Sequence, residues 1–196
     1  MTLAEYLKTE GKTHLIFDFD ETIFKLLLPW DKGLIYAEEQ LINLDKSIYE
    51  RYFLGKIDLN KAQNEYISKF GKKAWDLIYK NNLRFETEYY QGVEVNQELV
   101  DFIKKSKYKM FIWSANTKKI IEKVLKEYKL LDKFKKIVAR DDVNLLKPNP
   151  EGFSKIYDPK VAKEKYVFIG DSLNDKLAAQ KAGIDLYLID YFTKKS

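Results

Sequence analysis

The stretch "HLIFDFDET", residues 14–22, sets Asp18, Asp20 and Glu21 directly behind an apolar run. Leu15, Ile16 and Phe17 are too few for a helix and suit a buried strand. Other apolar runs also end in polar groups. Ser114, Ala115 and Asn116 follow "KMFIW", and Lys147 precedes Pro148 a short loop after "KIVA". Asp171, Asn174 and Asp175 follow "KYVFI" in the stretch "GDSLND". Carboxylates gathered at one place repel and need a counter-charge. The chain has no cysteine and one histidine, His14, which opens a strand and reads as structural. A hard, oxygen-preferring cation fits this donor set, and Mg²⁺ takes carboxylates, water and substrate phosphate. Lys147 is a second counter-charge, kept out of helical geometry by Pro148. Ser114 and the backbone N–H groups after it open a strand-to-helix turn suited to phosphate. The chemistry these parts support is phosphoryl transfer. Asp18 attacks phosphorus and forms an aspartyl-phosphate. Asp20 protonates the leaving alcohol and then takes a proton from water. Mg²⁺ and Lys147 stabilise the charge on the phosphoryl oxygens.

Such groups must be carried to one edge by regular elements. The pattern predicts strands over 14–18, 109–113, 136–139, 165–169 and 185–189. Helical patterns lie near 96–106, 117–129 and 173–182, the last followed by Gly183 as a C-cap. Strand and helix in alternation imply a Rossmann-like three-layer α/β/α core with a parallel sheet. Ligands of open parallel sheets bind at the carboxyl ends of the strands. No convincing strand appears between about 24 and 92. Helix-like stretches fill it instead: "LIYAEEQLINL", "SIYERYFL", "LNKAQNEYISKF" closed by Gly71, and "KKAWDLIY". Asp58 or Asn60 suits the N-cap of the third. This segment is far longer than an ordinary crossover and reads as an inserted all-helical lid.

The bulk numbers agree. The 196 residues suit one domain, or one with an insertion. A hydrophobic share of 45% supplies a full core and argues against global disorder. The net charge is +5, but it is nearly all lysine, with Arg51, Arg84 and Arg140 the arginines. Lysines alternate with acids, so a solvated surface is a better reading than a nucleic-acid patch. Such a balance steers small anions inward. The first ten residues show no apolar signal-peptide stretch and no segment matches a membrane span. The expectation is a soluble cytoplasmic protein, a monomer or weak dimer, with no nucleic-acid or membrane partner.

The four stretches "DFDET", "SANT", "KPNP" and "GDSLND" resemble, in order, the four motifs of the haloacid dehalogenase superfamily. The resemblance covers the whole chain, with a catalytic core at 1–23 and 93–196 and a helical cap at 24–92. It implies that Asp18 is nucleophile and metal ligand, and that Asp20 is acid/base with its backbone carbonyl on Mg²⁺. Asp171 matches the remaining carboxylate on the metal. Asp175 matches a supporting acid that orients Lys147 or a metal-bound water. Ser114 and Lys147 match the phosphate binders, with Ala115 and Asn116 in the same turn. Thr22 matches a residue that fixes the first turn, and Asn174 suits a hydrogen-bonding place near the metal. Dehalogenases of this fold lack the second aspartate, so Asp20 points to a phosphoester. Glu21 stands where glycine is common. Within the cap, Trp30, Tyr36, Lys56, Trp75 and Arg84 could face substrate, and Arg51 is the choice for a second anionic group. The resulting expectation is a Mg²⁺-dependent phosphatase acting on a small phosphorylated metabolite. The alternatives are a phosphomutase of the same superfamily, similar to β-phosphoglucomutase, and a phospho-accepting signalling module.

Overall fold

Leu15, Ile16 and Phe17 are buried on both faces of a sheet, as a central parallel strand requires. The computed structural model describes residues 1–192. Its strands are β1 His14–Phe17, β2 Phe24–Leu26, β3 Val93–Val95, β4 Lys109–Trp113, β5 Phe134–Val138, β6 Tyr166–Gly170 and β7 Asp185–Leu188. Its helices are α1 Leu3–Thr9, α2 Glu38–Phe53, α3 Leu59–Phe70, α4 Lys72–Glu88, α5 Gln97–Lys105, α6 Lys118–Glu127, α7 Glu151–Ile156 and α8 Leu173–Ala182.

The main sheet is parallel, in the order β5-β4-β1-β6-β7. The chain runs outward through β4 and β5 on one side of β1, then crosses to β6 and β7 on the other. That reversal opens a crevice at the carboxyl edge beside β1. Side-chain alternation fills both faces. Leu15 and Phe17 pack with Ile103 of α5 and Val124 of α6, whereas Ile16 packs with Phe153 of α7 and Ala178 of α8. Each such side chain contributes about 1.5–3 kcal/mol by leaving water. The result is a three-layer α/β/α fold.

Helices α2, α3 and α4 gather a core of their own around Leu41, Ile48, Ala62, Tyr66, Ala74 and Ile78. Asp58 caps α3 by accepting from the Lys61 N–H at 2.9 Å. Gly71, at φ 57°, ends α3 and starts α4 in a conformation that glycine adopts without strain. The first two helical stretches expected share the label α2, but Asp45, at φ −163° and ψ 100°, breaks the helix between them and caps the second part by accepting from the Ser47 and Ile48 N–H groups. Two short strands, β2 and β3, pair antiparallel where the helical unit leaves and rejoins the sheet. The sequence reading placed no strand there, because a three-residue strand shows too little alternation to be recognised. Among the described residues no helix is long and apolar enough to cross a membrane.

Trp113, at the end of β4, stacks on Phe168 of β6 with centroids 5.0 Å apart. Gly152 makes room for it: a Cβ there would sit 2.0 Å from the indole Nε1. Gly152→Ala should therefore push the indole off its stack and cost about 1–3 kcal/mol, read as a lower urea midpoint at unchanged m-value.

Candidate active site

The turn after β1 is built to aim two carboxylates the same way. The Asp18 N–H extends the ladder by donating to the Ile169 carbonyl at 2.8 Å. Phe19 is buried between the two acids and receives the N–H groups of Ile23 and Phe24 on its carbonyl. Asp20 Oδ1 accepts from the Leu26 N–H at 2.7 Å, which ties the acid to β2. Asn96 donates its side-chain amide to the Thr22 carbonyl and caps α5. The Thr22 hydroxyl donates to Asp171 Oδ1 at 2.8 Å and so links the first turn to the loop after β6. Glu21 is exposed with φ 58°, the left-handed region. Glycine suits this place on conformational grounds, and glutamate occupies it at a cost of roughly 1–2 kcal/mol.

Lys147 lies at the centre. Its Nζ is 2.7 Å from Asp18 Oδ1 and 2.6 Å from Asp175 Oδ1. Burial opposes its charge, but Asp175 and Asp18 outweigh burial and raise its pKa. The Lys147–Pro148 peptide is cis. Asp175 is fully buried at the start of α8. Its Oδ2 accepts from the N–H groups of Asp171 and Ser172 and from the Ser172 hydroxyl. One acid thus shapes the loop and holds the lysine. Gly170 is needed beside it, since a Cβ there would lie 2.7 Å from Asp175 Oδ2.

At the end of β4 the Ser114 hydroxyl donates to Asn116 Oδ1 at 2.9 Å, and the Asn116 N–H donates back to Ser114 Oγ. Neither side chain caps α6. That place is taken by Glu86 of α4, which accepts from the Thr117 N–H, the Thr117 hydroxyl and the Asn116 amide. Burial raises the Glu86 pKa, while Thr117 and Arg140 pull it back. Arg140, just past β5, donates from Nη1 to Gln63 Oε1 of α3 at 2.6 Å. Asp141 and Asp142 form a turn, as expected, and Asp141 also accepts from the Lys118 N–H at 2.7 Å.

These loops enclose a cavity of about 220 Å³ lined by Asp18, Asp20, Glu21, Ser114, Ala115, Asn116, Lys147, Asp171 and Asn174. Thr22 and Asp175 stand behind it as supports. The structure does not bring Arg51 there. It pairs with Glu65 and lines a neighbouring cleft with Asp45 and Lys69. Arg51 and Glu65 face each other across α2 and α3, so the guanidinium serves the helical unit. Of the other cap residues, Trp30 lines the cavity. Trp75 donates to the Val143 carbonyl, Arg84 stacks on Tyr36, and Lys56 is exposed. Arg140, Glu86 and Asn60 line the cavity without having been singled out from the sequence. Arg140 had a signal, as it immediately follows a strand at the ligand edge. Glu86 had one too, as it falls on the buried stripe of α4 with Ile78, Asn82 and Phe85.

Asp18, Asp171 and Asp175 bring carboxylate oxygens within 4.8 Å of one another. Burial raises the pKa of Asp18, opposed by Lys147, and burial with Asp175 raises that of Asp171. Burial likewise raises Asp20. Lys147 and Arg140 are outnumbered by Asp18, Asp20, Asp171 and Asp175, so an all-oxygen donor set with more acids than cations is present. That suits a hard divalent cation. Asp175 already has its oxygens engaged, which leaves Asp18 and Asp171 as the side-chain donors.

A family model described as haloacid dehalogenase-like hydrolase matches residues 15–189. The chain belongs to that family. Among curated relatives, pyrophosphatase PpaX of Bacillus thuringiensis is 32% identical over 158 residues, covering 80% of this chain and 68% of that one. PpaX of Halalkalibacterium halodurans is 33% identical over 105 residues, or 53% of this chain, and the chain spans only 47% of its length. Among solved structures, a haloacid dehalogenase-like hydrolase from Bacteroides fragilis superposes with a TM-score of 0.62 at 20% identity, over 89% of this chain and 86% of that one. The Bacillus subtilis hydrolase YfnB, bound to magnesium, gives 0.55 at 20% identity, over 91% and 87%. At these identities the two structures show a shared fold.

Two substitutions test the construction. Asp175→Asn places an NH₂ against donors whichever way the amide turns: Lys147 on one side, the Asp171 and Ser172 N–H groups on the other. It should cost about 1–3 kcal/mol in chemical denaturation. Glu21→Gly removes the left-handed strain but adds freedom to the unfolded chain, so a net gain of about 0.5–1 kcal/mol is expected in the same measurement.

Proposed function

We propose that the chain is a Mg²⁺-dependent phosphatase that hydrolyses small phosphorylated compounds through an aspartyl-phosphate on Asp18. The observation that carries this is the buried Lys147 Nζ held between Asp18 and Asp175 at the floor of a cavity that Asp20 also lines. A carboxylate attacking an anionic phosphoryl group needs its charge offset, and Lys147 touches the nucleophile directly. Asp18 Oδ1 faces the lysine, which leaves Oδ2 to attack phosphorus. The P–O bond to the leaving group breaks, and Asp20 delivers the proton that group takes up. Asp20 then removes a proton from the water that attacks the phospho-aspartate, which releases phosphate and restores Asp18. Burial raises its pKa, the direction an acid role calls for. Ser114, the backbone of Ala115 and Asn116, and Lys147 would hold the non-transferring oxygens.

Asp18, Asp171 and the Asp20 backbone carbonyl would hold Mg²⁺, which supplies positive charge against the phosphoryl oxygens. The magnesium bound by the B. subtilis hydrolase of the same fold supports this choice of metal. Helices α2–α4 are the cap over the site, with boundaries at residues 24 and 92. A cavity of about 220 Å³ favours small substrates. The name of the PpaX relatives makes inorganic pyrophosphate one member of the substrate set to be tried.

Phosphate release is the test, measured on small phosphomonoesters and pyrophosphate with Mg²⁺ and with chelator. Release should require the metal and fall below detection in Asp18→Asn. Asp20→Asn should lose about 10²–10⁴-fold in kcat, the usual contribution of a positioned acid/base. Full activity in Asp18→Asn would overturn the proposal, and an isomerised product without free phosphate would mark a mutase.

A further inference from the structure

Arg140 is 5% exposed yet lines the same cavity as Asp18. Among the described residues it forms no ion pair, and its one side-chain hydrogen bond goes from Nη1 to the neutral Gln63 amide. Its Nε, and the Nε2 of Gln63, have no partner among the described residues. Glu86 and Asp141 act on its charge from a distance. Neither takes its donors. Glu86 is committed to Thr117 and Asn116, and Asp141 to Lys118 and Tyr79.

A purely structural arginine is a poor account of this. Its backbone N–H already joins the two strand-end loops through the Asn116 carbonyl. The Gln63 contact would tether α3 equally well from a neutral side chain. A buried guanidinium with unfilled donors costs free energy that an apolar residue would not. The planar fork is suited to two oxygens of a carboxylate or phosphate. Lys147, the other cation of the cavity, is occupied by Asp18 and Asp175. Volume limits the occupant further. A cavity of about 220 Å³ lies below the usual range for ligand pockets of about 300–1,000 Å³ and favours a compact occupant.

We propose that Arg140 determines specificity by binding a second anionic group, a carboxylate or phosphate, close to the phosphoryl group that is transferred. The preferred substrates are then compact phosphates with two separate anionic groups (dianionic in that sense), not neutral-tailed esters. This rests on the phosphatase reading above and adds a substrate class to it.

The test is a matched pair: 2-phosphoglycolate and ethylene glycol monophosphate, which differ by carboxylate against hydroxymethyl. Pyrophosphate is run beside them to separate a second phosphate from a carboxylate. Wild type should favour the dianionic member by about 30-fold in kcat/KM, equivalent to roughly 2 kcal/mol. Arg140→Met should bring that ratio to within about threefold, and Arg140→Lys, with charge but no fork, should fall between. Calorimetric binding of the same compounds to Asp18→Asn, with and without Arg140→Lys, gives a reading that does not depend on turnover. Preferential dianion binding without phosphate release would sink the phosphatase proposal and leave the Arg140 assignment standing. Activity on the pair with no preference in wild type, or a preference that survives both Arg140 variants, would overturn the assignment and leave the phosphatase reading intact. Equal losses on both compounds would reduce Arg140 to a structural tether, and absence of any dianion binding would also refute it.

Discussion

One buried ammonium group holds the strand ends together. Lys147 comes from the loop after β5, Asp18 from the end of β1 and Asp175 from the start of α8, and the three meet at hydrogen-bonding distance away from water. Separating such charges from solvent is costly, so the arrangement survives only if every partner stays in place. Asp175 secures this by using its second oxygen on the backbone of Asp171 and Ser172. Thr22 then carries the constraint back to the first turn through Asp171. The result is a closed circuit through three loops, with Gly170 left bare because any side chain would strike Asp175.

The circuit leaves a surplus of negative charge. Asp18, Asp20, Asp171 and Asp175 outnumber the two cations of the cavity, Lys147 and Arg140, and burial pushes the first three toward protonation. A fold gains nothing in stability from burying acids in this way. The proposed reaction would use this imbalance, since a cation and an anionic group entering together would meet donors and charges fixed in advance.

Much of this was legible in the sequence, for a physical reason. A central parallel strand is a short apolar run, and a polar cluster just behind it stands out. Asp18, Ser114 and Asp171 were found that way, and the C-cap at Gly183 was legible from its residue type. Glu21 stood out in the sequence as a residue where glycine is common, and its left-handed φ shows that the constraint is one of backbone shape. Arg140 and Glu86 were harder to read. Their roles depend on helices α3 and α4 meeting the loops after β4 and β5, and no local period records which distant side chains meet. The placement of Arg51 in a neighbouring cleft was illegible for the same reason. Its charge was visible, but not the acid that answers it, Glu65.

The helical unit meets the sheet mainly through polar contacts. Asn64 binds both backbone groups of Leu146, Trp75 donates to Val143, Gln63 receives Arg140, and Glu86 caps α6. Its apolar core is a cluster of its own, joined to the sheet's cores at Leu145 and through Trp30, which packs on the sheet core and lies 5.6 Å, centroid to centroid, from Phe85 of α4. Exchanging such hydrogen bonds for water costs about 0.5–1.5 kcal/mol each, whereas parting a shared apolar core would expose its whole buried area. Each of the unit's polar contacts lands on or beside a loop that carries a cavity residue: Leu146 next to Lys147, Thr117 next to Asn116, and Arg140 itself. The contacts that seat the helical unit are therefore the same ones that hold the loops around the cavity in place.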